Sequence, residues 1–151
     1  MIKRKILFLD IDGVVNCEES AKKYTWRGII GIDPNLAFRI GKIKMYTDCE
    51  VVLSSSWRNG NEESLEYIKN QVCDFIDVTP NSSCRTRGCE IKKWIEDNID
   101  YNNRDDLVYA ILDDDTDFLL NQKNNFFKTS WKCGITEEIM EKVINHLNES
   151  E

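Results

Sequence analysis

The apolar residues of this chain fall into short unbroken runs, and that grouping restricts the fold more than any other feature. Residues 107–112 are apolar throughout and stop at Asp113-Asp114-Asp115, residues 5–9 stop at Asp10, and Val51-Val52-Leu53 runs into Ser54-Ser55-Ser56. A strand with one face in water alternates polar with apolar residues, whereas a strand covered on both faces, as in a parallel sheet, reads as a continuous apolar run. Phe75-Ile76-Asp77-Val78, ended by Pro80, and the brief Phe126-Phe127 are further strands of this kind. Helical stripes lie between them. Asp33-Pro34 is an N-cap and first-turn proline ahead of Leu36, Ala37, Ile40 and Ile43; Leu65, Ile68 and Val72 mark a second helix. Gly88 opens a third with Ile91, Trp94, Ile95 and Ile99, and Thr136 caps a last one lined by Ile139, Met140, Val143, Ile144 and Leu147. Such alternation predicts an α/β class: a doubly wound, Rossmann-like parallel sheet with helices on both faces.

A length of 151 residues fits one domain, 1–151, large enough to bury a real core. The net charge of −7 argues against broad attraction to nucleic acid or anionic membranes, without excluding a local basic site. No stretch nears the ~18 apolar residues of a membrane span, and the opening MIKRKILFLD is cut at Asp10, short of a secretory core. The cytoplasm is the expected location. Six cysteines, without C-x-x-C and with a single histidine, His146, read as free and mostly buried thiols rather than a zinc site.

Ligands of open α/β sheets bind beyond the carboxyl ends of the strands, near the switch in strand order. Three strands here end in unusual polar clusters: Asp10-Ile11-Asp12-Gly13, the serine triplet, and Asp113-Asp114-Asp115 with Asp117. Each alone is common as a turn, cap or solvated loop. Together, at the ends of apolar strands, they predict one shared site. In extended backbone Asp10 and Asp12 point the same way. Crowded carboxylates without His or Cys call for a hard divalent cation, Mg²⁺ before Zn²⁺, and through it a phosphate. A carboxylate beside such a phosphate can act as nucleophile and a second as acid and base, parts that Asp10 and Asp12 fit. Ser54 and Ser55 offer donors to the phosphoryl oxygens, and Arg58, Arg87 and Lys92 are the candidate cations. Trp57, Trp94 and Phe126-Phe127 read as core, and His146 as a half-exposed helix residue.

These residues resemble the motifs of haloacid dehalogenase-like (HAD) phosphatases. Phe8-Leu9-Asp10-Ile11-Asp12-Gly13-Val14 looks like the first motif, Val52-Leu53-Ser54 the second, and Ile111-Leu112-Asp113-Asp114 with Asp117 the fourth. The strings LSSSWR (53–58), RGCEIKKWI (87–95) and ILDDDTD (111–117) are similar to the HAD-like domain of RNA-repair proteins, and beyond it to polynucleotide 3′-phosphatases. The resemblance implies Asp10 as nucleophile and metal ligand. It implies Asp12 as acid/base that also offers its main-chain carbonyl to Mg²⁺, Ser54 on the phosphoryl oxygens, and Asp113 and Asp114 completing the metal shell. The third motif needs a cation early in the helix before the acidic strand; Arg87 is the choice and Lys92 the rival.

Neither the stretch from Asp12 to Ser54 nor that from Ser54 to Arg87 has room for a substantial cap domain. Residues 17–32, with Tyr24, Trp26 and Arg27, are expected to form a small flap or substrate wall, and residues 129–132 a second edge of an open site. The function expected is a Mg²⁺-dependent phosphomonoesterase acting on phosphorylated nucleic-acid ends or nucleotides. The alternatives are a phosphatase of phosphoproteins or small metabolites, or an idle module that binds phosphorylated ligands.

Overall fold

The structure, a computed structural model, describes residues 3–149. Strand β1 (Arg4–Leu9) lies at the centre of a five-stranded, wholly parallel sheet. On one side of it come β4 (Glu50–Leu53) and then β5 (Asp77–Val78); on the other come β6 (Leu107–Asp113) and then β7 (Phe126–Lys128). The chain winds outward from β1 in one direction and, after β5, crosses back to wind in the other. The carboxyl end of β1 is therefore the switch point.

Both faces of the sheet are covered, which is why its strands lack alternation. Leu7 and Leu9 face α2 (Pro34–Thr47), α3 (Glu62–Gln71) and α5 (Glu137–Asn148) in a cluster that also holds Ile40, Ile43, Ile68 and Val143. Ile6 and Phe8 point the other way, into a smaller cluster with Ile91 and Trp94 of α4 (Arg87–Asn98). Polar side chains start the helices where the sequence indicates. Asp33 accepts from the Asn35 N–H at 2.9 Å, and Thr136 accepts from the Ile139 N–H at 3.2 Å. Helix α4 begins one residue ahead of Gly88, with Thr86 as its cap.

Residues 17–32 form the expected flap: a single helical turn, α1 (Ser20–Lys23), and a hairpin of β2 (Thr25–Trp26) and β3 (Ile29–Ile30). Trp26 of the hairpin stacks on Tyr67 of α3, ring centroids 4.6 Å apart, and the Arg27 guanidinium pairs with Glu63. The described residues include no cap domain. No described helix is long and apolar enough to cross a membrane.

One expectation about cysteine is corrected. Cys84 and Cys89 are joined in a disulfide. The first turn of α4 carries Cys89 back over the loop that holds Cys84, leaving the Cα atoms 6.5 Å apart, within the span such a bond bridges. Of the other thiols, Cys17 and Cys49 are buried, Cys73 is half-buried and Cys133 is exposed.

Candidate active site

Asp10 follows β1 directly, and its N–H donates to the Leu112 carbonyl of β6 at 3.0 Å. Pairing of Leu9 with Leu112 brings the end of β6 alongside, so Asp113 arrives beside Asp10. Asp10, Asp113 and Asp114 each present a carboxylate oxygen within 4.8 Å of the others, and the first two are buried. Gly13 makes room for the third. Its φ of +81° suits glycine, and a Cβ there would lie 2.1 Å from Asp114 Oδ2.

Such crowding is electrostatically costly. Burial, then the Asp113 charge, hold Asp10 well above the ordinary carboxylate range, while burial pushes Asp113 up to about 6 from 3.8. Both groups are thus easier to protonate in the folded chain than in the unfolded one. Their contribution to stability is greatest below pH ~4 and falls as pH rises, the Asp113 share being lost as pH passes through about 6. For Asp113 alone the climb from 3.8 to about 6 corresponds to roughly 3 kcal/mol. Metal-free protein is expected to unfold at lower denaturant at pH 7.5 than at pH 5, as urea titrations in EDTA would show. A flat profile would mean that neither burial nor crowding opposes the charges on Asp10 and Asp113.

Asp12 departs from the geometry the D-x-D spacing predicts. The chain does not stay extended past Leu9: the N–H groups of Val14 and Val15 both return to the Ile11 carbonyl, forming a tight turn. This swings the Asp12 carboxylate out of the acidic trio, to where Asn16 Nδ2 donates at 2.9 Å and Trp57 Nε1 at 3.2 Å. Asn16 Oδ1 also accepts from the Gly13 N–H, locking the turn.

Ser54 ends β4 next to β1, donating its N–H to the Leu9 carbonyl at 2.8 Å. Its hydroxyl is buried without a partner, as are Nη1 of Arg87 and Oδ2 of Asp113. Buried polar atoms are almost always paired, so these three, on residues that end neighbouring strands or open α4, mark where a polar ligand belongs. Arg87 opens α4 and reaches Asp113, Nε to Oδ2, at 3.8 Å.

The other expected contacts are placed differently. Ser55 is fully buried, and its hydroxyl caps a short helical turn at Ser56–Asn59 by accepting from the Trp57 N–H. Arg58 is directed to Glu90 and to the Ser55 carbonyl and Asn81 Oδ1, with both members of the Arg58–Glu90 pair buried. Lys92 stands on the exposed side of α4 paired with Glu96, and the fold does not bring it to the acidic trio. Asp117 accepts from the Arg87 N–H at 2.9 Å and so caps α4.

A family model describing the HAD domain in Swiss Army Knife RNA repair proteins matches residues 6–140. The chain belongs to this HAD family. No curated protein and no solved structure matches it. The parallel sheet without a cap is a Rossmann-like HAD fold.

Several supports of this HAD site escaped the sequence reading. Gln122 is buried; its Nε2 donates to the Gly88 carbonyl at 2.9 Å while its Oε1 accepts from the Leu119 N–H. A Cβ at Gly88 would lie 2.7 Å from Gln122 Oε1 and 2.8 Å from the Leu119 nitrogen, so only glycine lets α4 approach this closely and bring Arg87 to Asp113. Thr129, buried after β7, donates its hydroxyl to the Gly13 carbonyl at 2.6 Å. Asn16 and Trp57 orient Asp12. The four-residue step from Asp12 to Asn16 was the one available signal, once a helical turn replaces the extended backbone.

Proposed function

We propose that residues 1–151 act as one Mg²⁺-dependent phosphomonoesterase domain that removes phosphate from nucleic-acid ends or nucleotides by way of an aspartyl-phosphate on Asp10. The acidic trio beside two unpaired buried donors, Ser54 Oγ and Arg87 Nη1, carries this reading. An all-oxygen set suits Mg²⁺. Three carboxylate oxygens within 4.8 Å of one another would suit such an ion, and Asp113 Oδ2 has no hydrogen-bond partner. Asp10, Asp113 and Asp114 would hold the ion, with the Asp12 main-chain carbonyl as a further ligand by family resemblance. When bound, Mg²⁺ supplies charge that offsets both the carboxylates and the phosphoryl oxygens.

Asp10 attacks phosphorus through a carboxylate oxygen as the bond to the leaving oxygen breaks. Ser54 and Arg87 take the growing charge on the remaining phosphoryl oxygens. Asp12, turned away from the trio, donates a proton to the leaving oxygen. It later removes one from the water that attacks phosphorus and releases Asp10 and inorganic phosphate. Asp12→Asn is expected to lower kcat by about 10²–10⁴-fold while Mg²⁺ still raises the melting temperature, because the trio is untouched. Kinetics paired with thermal melts check both halves.

The deciding screen compares 3′- and 5′-phosphorylated oligonucleotides, nucleotides, phosphopeptides and sugar phosphates, with and without Mg²⁺, against an Asp10→Asn control. Mg²⁺-dependent release of phosphate from nucleic-acid ends or nucleotides is expected. Preference for phosphopeptides or sugar phosphates would replace the substrate class. No turnover above the control would leave a phospho-ligand binding module.

A further inference from the structure

Two clefts open on either side of Ser56, and they differ in chemistry. One, of about 400 Å³, is lined by Arg58, Arg85 and Arg87 together with Glu90 and Asp117. The other, of about 680 Å³, is lined by Ile29, Ile30, Trp57 and Trp131 and reaches Asp12. Its volume lies within the ~300–1,000 Å³ of ligand pockets. Ile29 and Trp131 keep 50% and 39% of their surface in water, a costly display of large apolar groups at the mouth of a site. The walls are held in place. Trp26 is sandwiched near Tyr67 and Trp57, the Tyr67 hydroxyl accepts from the Ile32 N–H at 3.1 Å, and Arg27 ties the hairpin tip to Glu63 on α3.

Asp12 fixes what enters the apolar cleft. As the proton donor to the leaving oxygen it faces the leaving group, so whatever carries the phosphate extends past Asp12 into this space. We propose that the cleft seats the nucleobase of the phosphorylated terminal nucleoside against Trp131, and that the strand's next phosphate lies across Ser56 in the arginine-lined cleft. This rests on the phosphatase reading and names the part of the substrate that the site selects. A base offers a flat apolar face with polar edges, which an indole and an isoleucine cover well. In the second cleft Glu90 matches Arg58 and Arg87 serves the transferring phosphoryl, so Arg85 is the cation left to meet a further phosphate. Among the described residues Arg85 makes no ion pair, which leaves its charge available to a second phosphate.

The test uses 3′- and 5′-phosphorylated tetranucleotides, each made with a normal terminal base and with an abasic terminal residue. It also includes a phosphotyrosine peptide. For the wild type, kcat/KM with the base is expected to exceed the abasic value by at least about fivefold, the lower range of base stacking on an aromatic ring. Trp131→Ala should pull that ratio towards one, and Trp131→Phe should retain most of it. Equal rates with and without the base, an unaltered ratio in Trp131→Ala, or faster turnover of the phosphotyrosine peptide would each overturn the proposal. Affinity of the same oligonucleotides for Asp10→Asn, with and without Trp131→Ala, gives the ratio without turnover. If nothing is hydrolysed the phosphatase reading fails, and equal affinities there would overturn the base site separately.

Discussion

Replacing Asp10 by Asn is expected to lower phosphate release by at least ~10⁴-fold, the scale on which removal of a covalent nucleophile is felt. The folded chain should survive the change and, without metal, gain stability. Asp10 is buried beside Asp113, and its ionisation is opposed first by burial and then by that neighbour. An amide of nearly the same shape removes the charge and relieves the partner carboxylate. The melting temperature at pH 7.5 in EDTA should therefore rise above that of the wild type, and the difference should shrink near pH 5, below the range in which wild-type Asp113 takes up its proton. Steady-state kinetics and paired melts decide the matter. Retained turnover would remove the aspartyl-phosphate path, and a lower melting temperature would mean that Asp10 is held by contacts stronger than the repulsion.

Glu90→Ala is expected to be the most destabilising single change near the site, at about 3–5 kcal/mol. The Arg58 and Glu90 side chains retain only 8% and 7% of their exposure. Burial already works against the charge on Arg58, with Glu90 the largest influence in its favour. Without Glu90 a guanidinium is left among the Ser55 carbonyl, Asn81 and the nearby Arg87, with only the weaker pull of Asp10 in its favour. For a chain of this size, each kcal/mol corresponds to about 2–4 °C, so a fall of roughly 10 °C is anticipated. Glu90→Gln keeps the hydrogen-bonding oxygen and should cost less. A loss below ~1 kcal/mol in urea titrations would show that water screens the pair.

Strands were legible where burial on both faces leaves no alternative. Residues 107–112 form all but the last residue of β6, and the run that stops at Asp10 is β1. Convergence of their ends followed from parallel pairing alone. The edge strand β5 was read too long: Phe75-Ile76-Asp77-Val78 contracts to Asp77–Val78, which register with Val52 and Leu53 of β4, while Ile76 adds one N–H bond to the Val51 carbonyl and stays half exposed.

Side-chain directions were less accessible. The two-residue spacing of Asp10 and Asp12 implies a shared direction only while the backbone remains extended, and the turn at Ile11 cancels it. Asp117 belongs to the acidic string that was read as part of the site, yet it lies where free N–H groups of α4 need an acceptor. The Cys84–Cys89 bond depends on how a loop meets a helix, which periodicity does not encode. Trp57 was read as core, and it is buried, but its indole N–H also fixes Asp12.

The brevity of β5 bears on self-association. An outer strand with a long run of free N–H and C=O groups is a template on which another chain can add. Here only two residues are offered, Asp77 turns one carboxylate oxygen onto the Val78 N–H and the other onto the Trp94 indole, and Pro80 follows at once. That flank of the sheet is blunted against fibrous stacking without any added domain to shield it.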